Sequence, residues 1–169
     1  MDLNWLLGFI EGEGCFNLSF HIRNNYVYRF VEFQLAQGER EVLEKVKDLL
    51  ASQNIQSHIY DVPNYSSSRG GQGSWHLTIS KHSDLIKLVK LLESLEWHSK
   101  KRMSFEKWKR GLDMLSTSVR SVEDLKAFAK LSLDINPKGK GKYKWTPEFI
   151  DENCSFKDGW VVLNNSRGY

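Results

Sequence analysis

The stretch Leu6-Leu7-Gly8-Phe9-Ile10-Glu11-Gly12-Glu13-Gly14 decides the fold of this chain. Residues 3–12 are mostly apolar and fit one helix, which a glycine ends. Gly8 and Gly12 are four residues apart, so they share a helix face and allow another helix to approach closely. Two carboxylates, Glu11 and Glu13, follow in the last turn. An acidic group at the end of such a helix can hold a divalent metal where two protein units meet.

Alternating polar and apolar residues begin directly after this helix. The segment 15–37 alternates on both sides of Asn24-Asn25, a turn signal, and this predicts a long β-hairpin. Residues 55–60 and 74–80 predict a second hairpin around a Ser- and Gly-rich loop at 63–74. Apolar residues at helical spacing predict further helices at about 38–53, 83–95, 99–115 and 122–130.

The predicted order is therefore α-β-β-α-β-β-α, followed by C-terminal helices and a tail. Two hairpins in this order predict an α+β fold, in which a four-stranded antiparallel sheet carries helices on one face. A length of 169 residues predicts one domain. We assign residues 1–135 to its body. Residues 136–169, rich in Gly, Lys and aromatics, are assigned to a C-terminal extension of the same domain that lies on the surface or on a ligand.

Composition excludes several classes of protein. The two cysteines, Cys15 and Cys154, define neither a disulfide framework nor a zinc pattern. No apolar run approaches the roughly 20 residues that span a bilayer, so no membrane partner is expected. The N-terminus lacks the basic region of a signal peptide, which predicts an intracellular protein of the cytoplasm, nucleoid or an organelle.

Charge is distributed unevenly along the chain, although the net charge is only +3. Residues 98–110 contain six Lys or Arg and one acid, and residues 138–144 alternate Lys with Gly or Tyr. Basic runs with neighbouring aromatics are typical of surfaces that bind phosphate backbones. A solvated surface is the alternative interpretation.

One face of the predicted sheet is polar. Its short or planar donors and acceptors can read base edges in a major groove that admits β-structure. An ordinary solvated face would carry more Lys and Glu, and it remains the alternative. The residues of this predicted face are Asn17, Ser19, His21, Arg23, Tyr28, Glu32, Gln34, Gln56, His58, His76 and Thr78.

The opening stretch resembles the motif that names the LAGLIDADG homing endonucleases. It matches that motif at Leu6, Gly8, Ile10 and Gly14, with glutamates in place of both aspartates. The predicted α-β-β-α-β-β-α order over about residues 3–115 is also that of the family. The resemblance implies a site-specific double-strand DNA endonuclease that hydrolyses phosphodiester bonds in a long pseudo-palindromic site and promotes intron homing.

The resemblance also implies a catalytic centre. Glu13 and the main-chain carbonyl of Gly12 would bind Mg²⁺, which Mn²⁺ or Ca²⁺ can replace for binding. Gln37 would position a water, and either Lys100 or Lys101 would stabilise developing negative charge. Sequence does not choose between the two lysines.

Partners follow from the same resemblance. Members with two motifs act as monomers, and this chain has one, so a homodimer is implied, with Leu7, Gly8, Glu11 and Gly12 at its interface. Close helix packing inside one subunit is the alternative for the two glycines. The other implied partner is double-stranded DNA. To the polar face we add, as DNA contacts, Arg69, Lys138, Lys140 and Lys142.

Three other functions remain as alternatives. An intron-RNA maturase on the same fold would bind nucleic acid without cutting DNA. A DNA-binding regulator that kept the fold would bind DNA equally well in EDTA. A generic α+β binding module, in which Glu13 is only a helix-end acid, would be a monomer without affinity for duplex DNA.

Overall fold

The computed structural model describes residues 2–63, 73–117, 121–135 and 145–164. Its elements, in chain order, are α1 (Leu3–Glu13), β1 (Gly14–Arg23), β2 (Tyr26–Gln37), α2 (Arg40–Ser52), β3 (His58–Val62), β4 (Ser74–Ile79), α3 (His82–Glu93), α4 (Lys101–Leu115), α5 (Val122–Ile135), α6 (Pro147–Asn153), β5 (Cys154–Lys157) and β6 (Trp160–Leu163). The predicted α+β class and α-β-β-α-β-β-α order are confirmed.

The chain divides into two compact units. Unit 1 consists of Met1–Phe16 with Glu32–Met103, and unit 2 consists of Asn17–Val31 with Ser104–Tyr169. The long strands β1 and β2 pair with each other, and each belongs in part to both units. Among the residues with described positions, no helix is long and apolar enough to cross a membrane.

Unit 1 is a layer of helices on antiparallel strands. The carboxylate of Asp2 caps α1 by accepting a hydrogen bond from the Trp5 N–H at 2.8 Å, which satisfies one of the free donors of a helix start. Strand β4 pairs with β2 on one edge and with β3 on the other. Its Leu77 lies between Leu35 and Ile59 in register. Because side chains alternate along a strand, this register places apolar residues on one face and polar residues on the other.

Unit 2 has a separate core, which corrects the prediction of a surface tail. Its buried residues come from β2, α5, α6, β5 and β6, and they are Val27, Leu125, Ala129, Ile150, Cys154, Val161 and Leu163. In the part of the chain that the structure describes, the sheet therefore has six strands instead of the predicted four. Burying one Leu or Ile side chain contributes roughly 1.5–3 kcal/mol, so the described part of the tail, residues 145–164, stabilises unit 2.

Helix α4 approaches β1 closely within unit 2. A Cβ atom at Gly111 would lie 2.6 Å from both methyl carbons of Leu18. That separation is a clash, so a side chain at this position would force Leu18 or the helix to move. Packing against Leu18 and not the backbone conformation favours glycine here, since φ of Gly111 is not positive.

Candidate functional site

The C-terminal end of α1 turns sharply into β1. The Gly14 N–H donates to the Ile10 carbonyl, and a Cβ at Gly14 would lie 2.5 Å from that same oxygen. Only glycine fits this junction. Glu13, the last helical residue, is exposed there, and so is Gly12. The last carbonyls of a helix have no partner within the helix, so the Gly12 carbonyl and the exposed Glu13 carboxylate are two oxygen groups available at one helix end.

The other acid of the motif is bound to the fold. Oε1 of Glu11 accepts hydrogen bonds from the main-chain N–H of His98 at 2.9 Å and of Ser99 at 2.7 Å. Burial acts to raise the pKa of Glu11, but the hydrogen bonds from Ser99 and His98 outweigh it and hold that pKa below its ordinary value. Glu11 is therefore ionised near neutral pH and fixes the segment before α4 against the motif helix.

The preceding residue strengthens this attachment. Trp97 packs its ring against Phe16 at 6.3 Å between centroids and donates from its indole N–H to the Leu92 carbonyl at 3.0 Å. The chain that leaves α3 is therefore held on both sides of the residues that bind Glu11. Ser99 then accepts the Lys101 N–H on its hydroxyl at 3.2 Å, at the start of α4.

The structure distinguishes the two candidate lysines. Lys101 is half-buried, whereas Lys100 is exposed. Loss of water around the Cys15 thiol raises its pKa, and the charge of Lys101 opposes this rise. Lys101 thus acts electrostatically on the second residue after Glu13. Glu32 of β2 acts on the same thiol in the opposite direction, so the motif end, Lys101 and Glu32 lie in one neighbourhood.

Gln37 lies at the end of β2. In an antiparallel hairpin the start of the first strand and the end of the second lie at the same end, so Gln37 and Gly14 share one end of the β1–β2 pair. The Gln37 side-chain oxygen accepts the Gly38 N–H at 2.7 Å. Its amide nitrogen is consequently the group that can donate to a bound water or phosphate.

A polar cluster lies on the sheet face of unit 1. The Gln34 amide donates to the Tyr60 hydroxyl at 2.9 Å, and the Tyr60 and His76 rings are 5.6 Å apart. Nε2 of His76 lies 3.0 Å from the Ser74 hydroxyl. Burial lowers the pKa of His76, so its ring is neutral near pH 7 and offers one donor and one acceptor. Tyr60 was not among the predicted contacts, although it alternates in phase with His58.

The remaining predicted face residues differ in accessibility. His58 is exposed in unit 1, and Glu32 is half-buried there. In unit 2, His21, Arg23 and Tyr28 are exposed, whereas Asn17 and Ser19 are half-buried. The His21 ring stacks on Phe30 with centroids 4.0 Å apart.

Several predicted residues need correction. Thr78 is only 7% exposed, so it is unsuited to contact a ligand. Gln56 precedes β3 instead of lying on a strand. Leu7, predicted for a dimer interface, is 3% exposed in the core of its own chain. Arg69, Lys138, Lys140 and Lys142 lie outside the described residues.

One face of α1 is open. Trp5 is 43% exposed and stacks on Phe9 at 5.1 Å between ring centroids. A Cβ built at Gly8 or Gly12 would meet no atom of the described residues within 4 Å. Packing among the described residues of this chain therefore does not explain the two glycines, and the alternative of close packing within one subunit is wrong for that part of the chain.

The donor set at the motif end fits a hard divalent cation only in part. Carboxylate and carbonyl oxygens are the ligands that Mg²⁺ and Ca²⁺ prefer. Within the ranges whose positions are described, no group of three or more His, Cys, Asp or Glu side chains could hold a metal ion. One chain thus offers Glu13 and the Gly12 carbonyl, and further ligands must come from elsewhere.

This geometry agrees with the family to which the sequence belongs. A family model described as LAGLIDADG endonuclease matches residues 6–112, from the motif through α4 up to Leu112. The chain is a member of the LAGLIDADG endonuclease family. No curated protein sequence matches it.

Solved structures share the fold. The archaeal intron-encoded homing endonuclease I-Vdi141I, complexed with DNA, is 23% identical with a TM-score of 0.71, and the match covers 89% of this chain and 94% of that chain. The homing endonuclease I-TnaI is 21% identical with a TM-score of 0.68, covering 90% and 97%. I-CvuI, in complex with its target in the presence of 2 mM Ca, is 17% identical with a TM-score of 0.67, covering 89% and 90%.

Proposed function

We propose that two copies of this chain form a homodimer that hydrolyses both strands of a long, pseudo-palindromic duplex DNA site, depends on Mg²⁺ and promotes intron homing. One observation carries the proposal. Glu11 binds the main chain of His98 and Ser99 at 2.9 and 2.7 Å. This attachment sets the start of α4, and with it Lys101, beside the helix end where Glu13 is exposed.

The open face of α1 supports the dimer. A Cβ built at Gly8 or Gly12 has no atom within 4 Å among the residues of known position, and Trp5 on the same helix face is 43% exposed. Two such helices can approach closely across a two-fold axis, since neither presents a side chain at the glycine positions. A two-fold dimer reads two half-sites related by the same symmetry, which gives the pseudo-palindrome. Both copies of Glu13 then lie near the axis.

The metal would be held by Glu13 and the carbonyl of Gly12, completed by the second copy, water and phosphate oxygens. Mg²⁺ is suited to such a site, because it binds through few carboxylates and keeps several waters. When bound, it supplies an activated water and charge stabilisation at the leaving oxygen. Structures of I-CvuI in the presence of 2 mM Ca or 2 mM Mg agree with use of a divalent ion, and in the structure with Mg the DNA is not cleaved.

The protein groups around the metal would act on the phosphate. The Lys101 ammonium would stabilise the negative charge that develops on the non-bridging oxygens, as a preorganised positive group does in other phosphoryl-transfer sites. The Gln37 amide, whose oxygen is already bound to Gly38, would orient a water through its nitrogen. Glu11 holds the lysine segment and touches no reacting atom in this proposal.

The polar sheet face would read the half-site. Gln34 and His76 lie on the same face as His58 and Tyr60, as the β2–β4–β3 register requires. Amide and imidazole groups present both donors and acceptors to base edges in the major groove.

DNA as the substrate places the protein inside the cell.

A selection for cleaved sites tests the function. A duplex library is incubated with Mg²⁺ and wild-type protein, Glu13→Gln, or the control Glu39→Gln at the exposed start of α2, where the side chain makes no capping hydrogen bond. We expect wild type and the control to cut the same sites and Glu13→Gln to bind them uncut. A wild-type protein that binds duplex DNA and never nicks it would leave a maturase or a regulator as the function.

A further inference from the structure

Three exposed aromatic side chains form a patch in unit 2, which we name the aromatic platform: Tyr26, Tyr28 and Trp160. Their exposed fractions are 37%, 37% and 50%. The Trp160 ring lies 5.9 Å from the Tyr26 ring and 6.0 Å from the Tyr28 ring, centroid to centroid. Large exposed aromatic patches are unusual on a protein surface and mark interaction sites.

The backbone holds this platform rigidly. Tyr26 pairs with Val162 in the antiparallel β2–β6 register, so Tyr28 and Trp160 project on the same face of neighbouring strands. Two tight turns fix the strands. Asn24 and Asn25 have φ of 51° and 67°, and Asp158 and Gly159 have φ of 51° and 85°. Consecutive residues with positive φ are typical of two-residue hairpin turns.

Basic side chains accompany the aromatic rings. Lys157 pairs directly with Trp160 across the β5–β6 hairpin. Arg23 and Tyr26 lie on either side of the Asn24-Asn25 turn, where the two ends of a two-residue hairpin face each other. Both basic residues are exposed. Each edge of the platform therefore combines a π-face with a positive charge.

We infer that the aromatic platform binds single-stranded DNA, with unpaired bases stacking on Trp160 and Tyr28 and phosphates contacting Arg23 and Lys157. Aromatic faces next to basic groups are the combination that binds unpaired strands, because every base has a π-face and every nucleotide a phosphate. A duplex hides its base faces between neighbouring base pairs and would have to unstack to use the platform. DNA is the occupant because the platform continues the β1–β2 hairpin, whose polar residues are proposed to contact DNA, and to this extent the inference rests on the proposed function. It assigns Arg23 and Tyr28, predicted from the sequence as duplex contacts, to an unpaired strand instead.

This binding needs no cleavage, so its test is separate from that of the endonuclease. Three fluorescein-labelled probes are titrated with the full chain in EDTA. They are a 12-nucleotide dT strand, a 12-nucleotide RNA strand of U, and a 12-base-pair DNA duplex. We expect Trp160→Ala to weaken binding of the dT strand roughly 5- to 150-fold, the range for loss of stacking on one aromatic. Trp160→Phe, which keeps a π-face, should restore most of the affinity.

Phe156→Ala is the matched control. Phe156 is 47% exposed on the same hairpin but pairs with Val161, so it points away from the platform face. It should leave dT affinity unchanged, and Tyr28→Ala should weaken dT binding as Trp160→Ala does. Equal losses in Phe156→Ala and Trp160→Ala would overturn the platform. If Trp160→Ala weakens duplex and dT binding equally, the platform binds duplex DNA and the inference is wrong. If the wild-type protein binds the U strand more tightly than the dT strand, and this binding depends on Trp160, the platform binds RNA instead.

Discussion

The two acidic residues in the last turn of α1, Glu11 and Glu13, lie in very different surroundings. On one side, Glu11 accepts two main-chain N–H groups within 2.9 Å and is part of the fold. On the other, Glu13 is exposed at a helix end that only glycine can follow. Two residues of the same chemical type thus differ entirely in what surrounds them. Glu11 ties the last turn of α1 to residues 98 and 99, while Glu13 in the same turn remains accessible.

The largest effect should come from removing the accessible acid. Glu13→Gln keeps size and hydrogen bonding but removes the charge that would hold a cation. A metal ion stabilises such a transition state by several kcal/mol, so cleavage should fall on the order of 10³-fold or more. The unfolding free energy should change little, because Glu13 is exposed. Single-turnover cleavage measures the loss of activity, and urea unfolding measures the change in stability. A large loss of stability in Glu13→Gln would contradict the view that Glu13 has no structural role.

Removing the bonded acid should do the reverse. Glu11→Ala leaves two main-chain N–H groups without their acceptor, and hydrogen bonds to a charged group contribute about 1.5–3 kcal/mol each. We expect a stability loss of about 2–4 kcal/mol in urea unfolding, together with slower cleavage because Lys101 is less well positioned. Glu11→Gln, which keeps an acceptor oxygen, should recover part of both. Cleavage that falls while stability stays at the wild-type value would place Glu11 in the chemistry instead.

Alanine substitutions at a glycine of α1 and a glycine of α4 should have smaller effects on stability, and the two effects should be opposite in sign. Gly8→Ala meets nothing within 4 Å, and alanine in a helix is about 0.5–1 kcal/mol more favourable than glycine. The folded chain should therefore gain stability while the dimer weakens, as measured by sedimentation at several concentrations. Gly111→Ala, which would clash with Leu18 at 2.6 Å, should cost about 1–3 kcal/mol. If Gly8→Ala dimerises as strongly as wild type, the Gly8 face of α1 is not part of the dimer interface.

The smallest effect concerns pH. The pKa of Glu11 is lower in the folded chain than its ordinary value of 4.5, so its contribution to stability is present above that value and is lost as the pH falls through the lower, folded pKa. Wild type should lose more stability between neutral pH and pH 3 than Glu11→Gln does. Dependence that remains in the variant should come partly from Asp84, whose hydrogen bond from Lys87 holds its pKa low. If wild type and Glu11→Gln lose the same stability between neutral pH and pH 3, the hydrogen bonds from residues 98 and 99 do not hold the Glu11 carboxylate.

The sequence predicted those parts of the fold that local patterns determine. Helices with apolar residues at regular spacing and the Asn24-Asn25 hairpin are encoded within a few residues of one another. The short strands β5 and β6 have four residues each, too few to show a period. Their burial depends on partners such as Val27 and Leu125 that are far away in the chain.

The candidate site was predictable to the same extent. The motif predicts Glu13 as a metal ligand, and the structure shows that this residue is exposed. The bond from Glu11 to residues 98 and 99 joins positions 87 and 88 residues apart, so no local pattern could reveal it. The half-buried position of Lys101 near Cys15 likewise depends on the three-dimensional fold, so the sequence could not distinguish Lys101 from Lys100.

The attachment of Glu11 has a consequence for how the sequence can drift. At position 98 the carboxylate binds a main-chain N–H, which every residue except proline supplies. His98 can therefore be exchanged for almost any residue without loss of that bond. Among homologues, the acid at position 11 should be retained while position 98 varies freely, so covariation between them would fail to report a contact that is only 2.9 Å long.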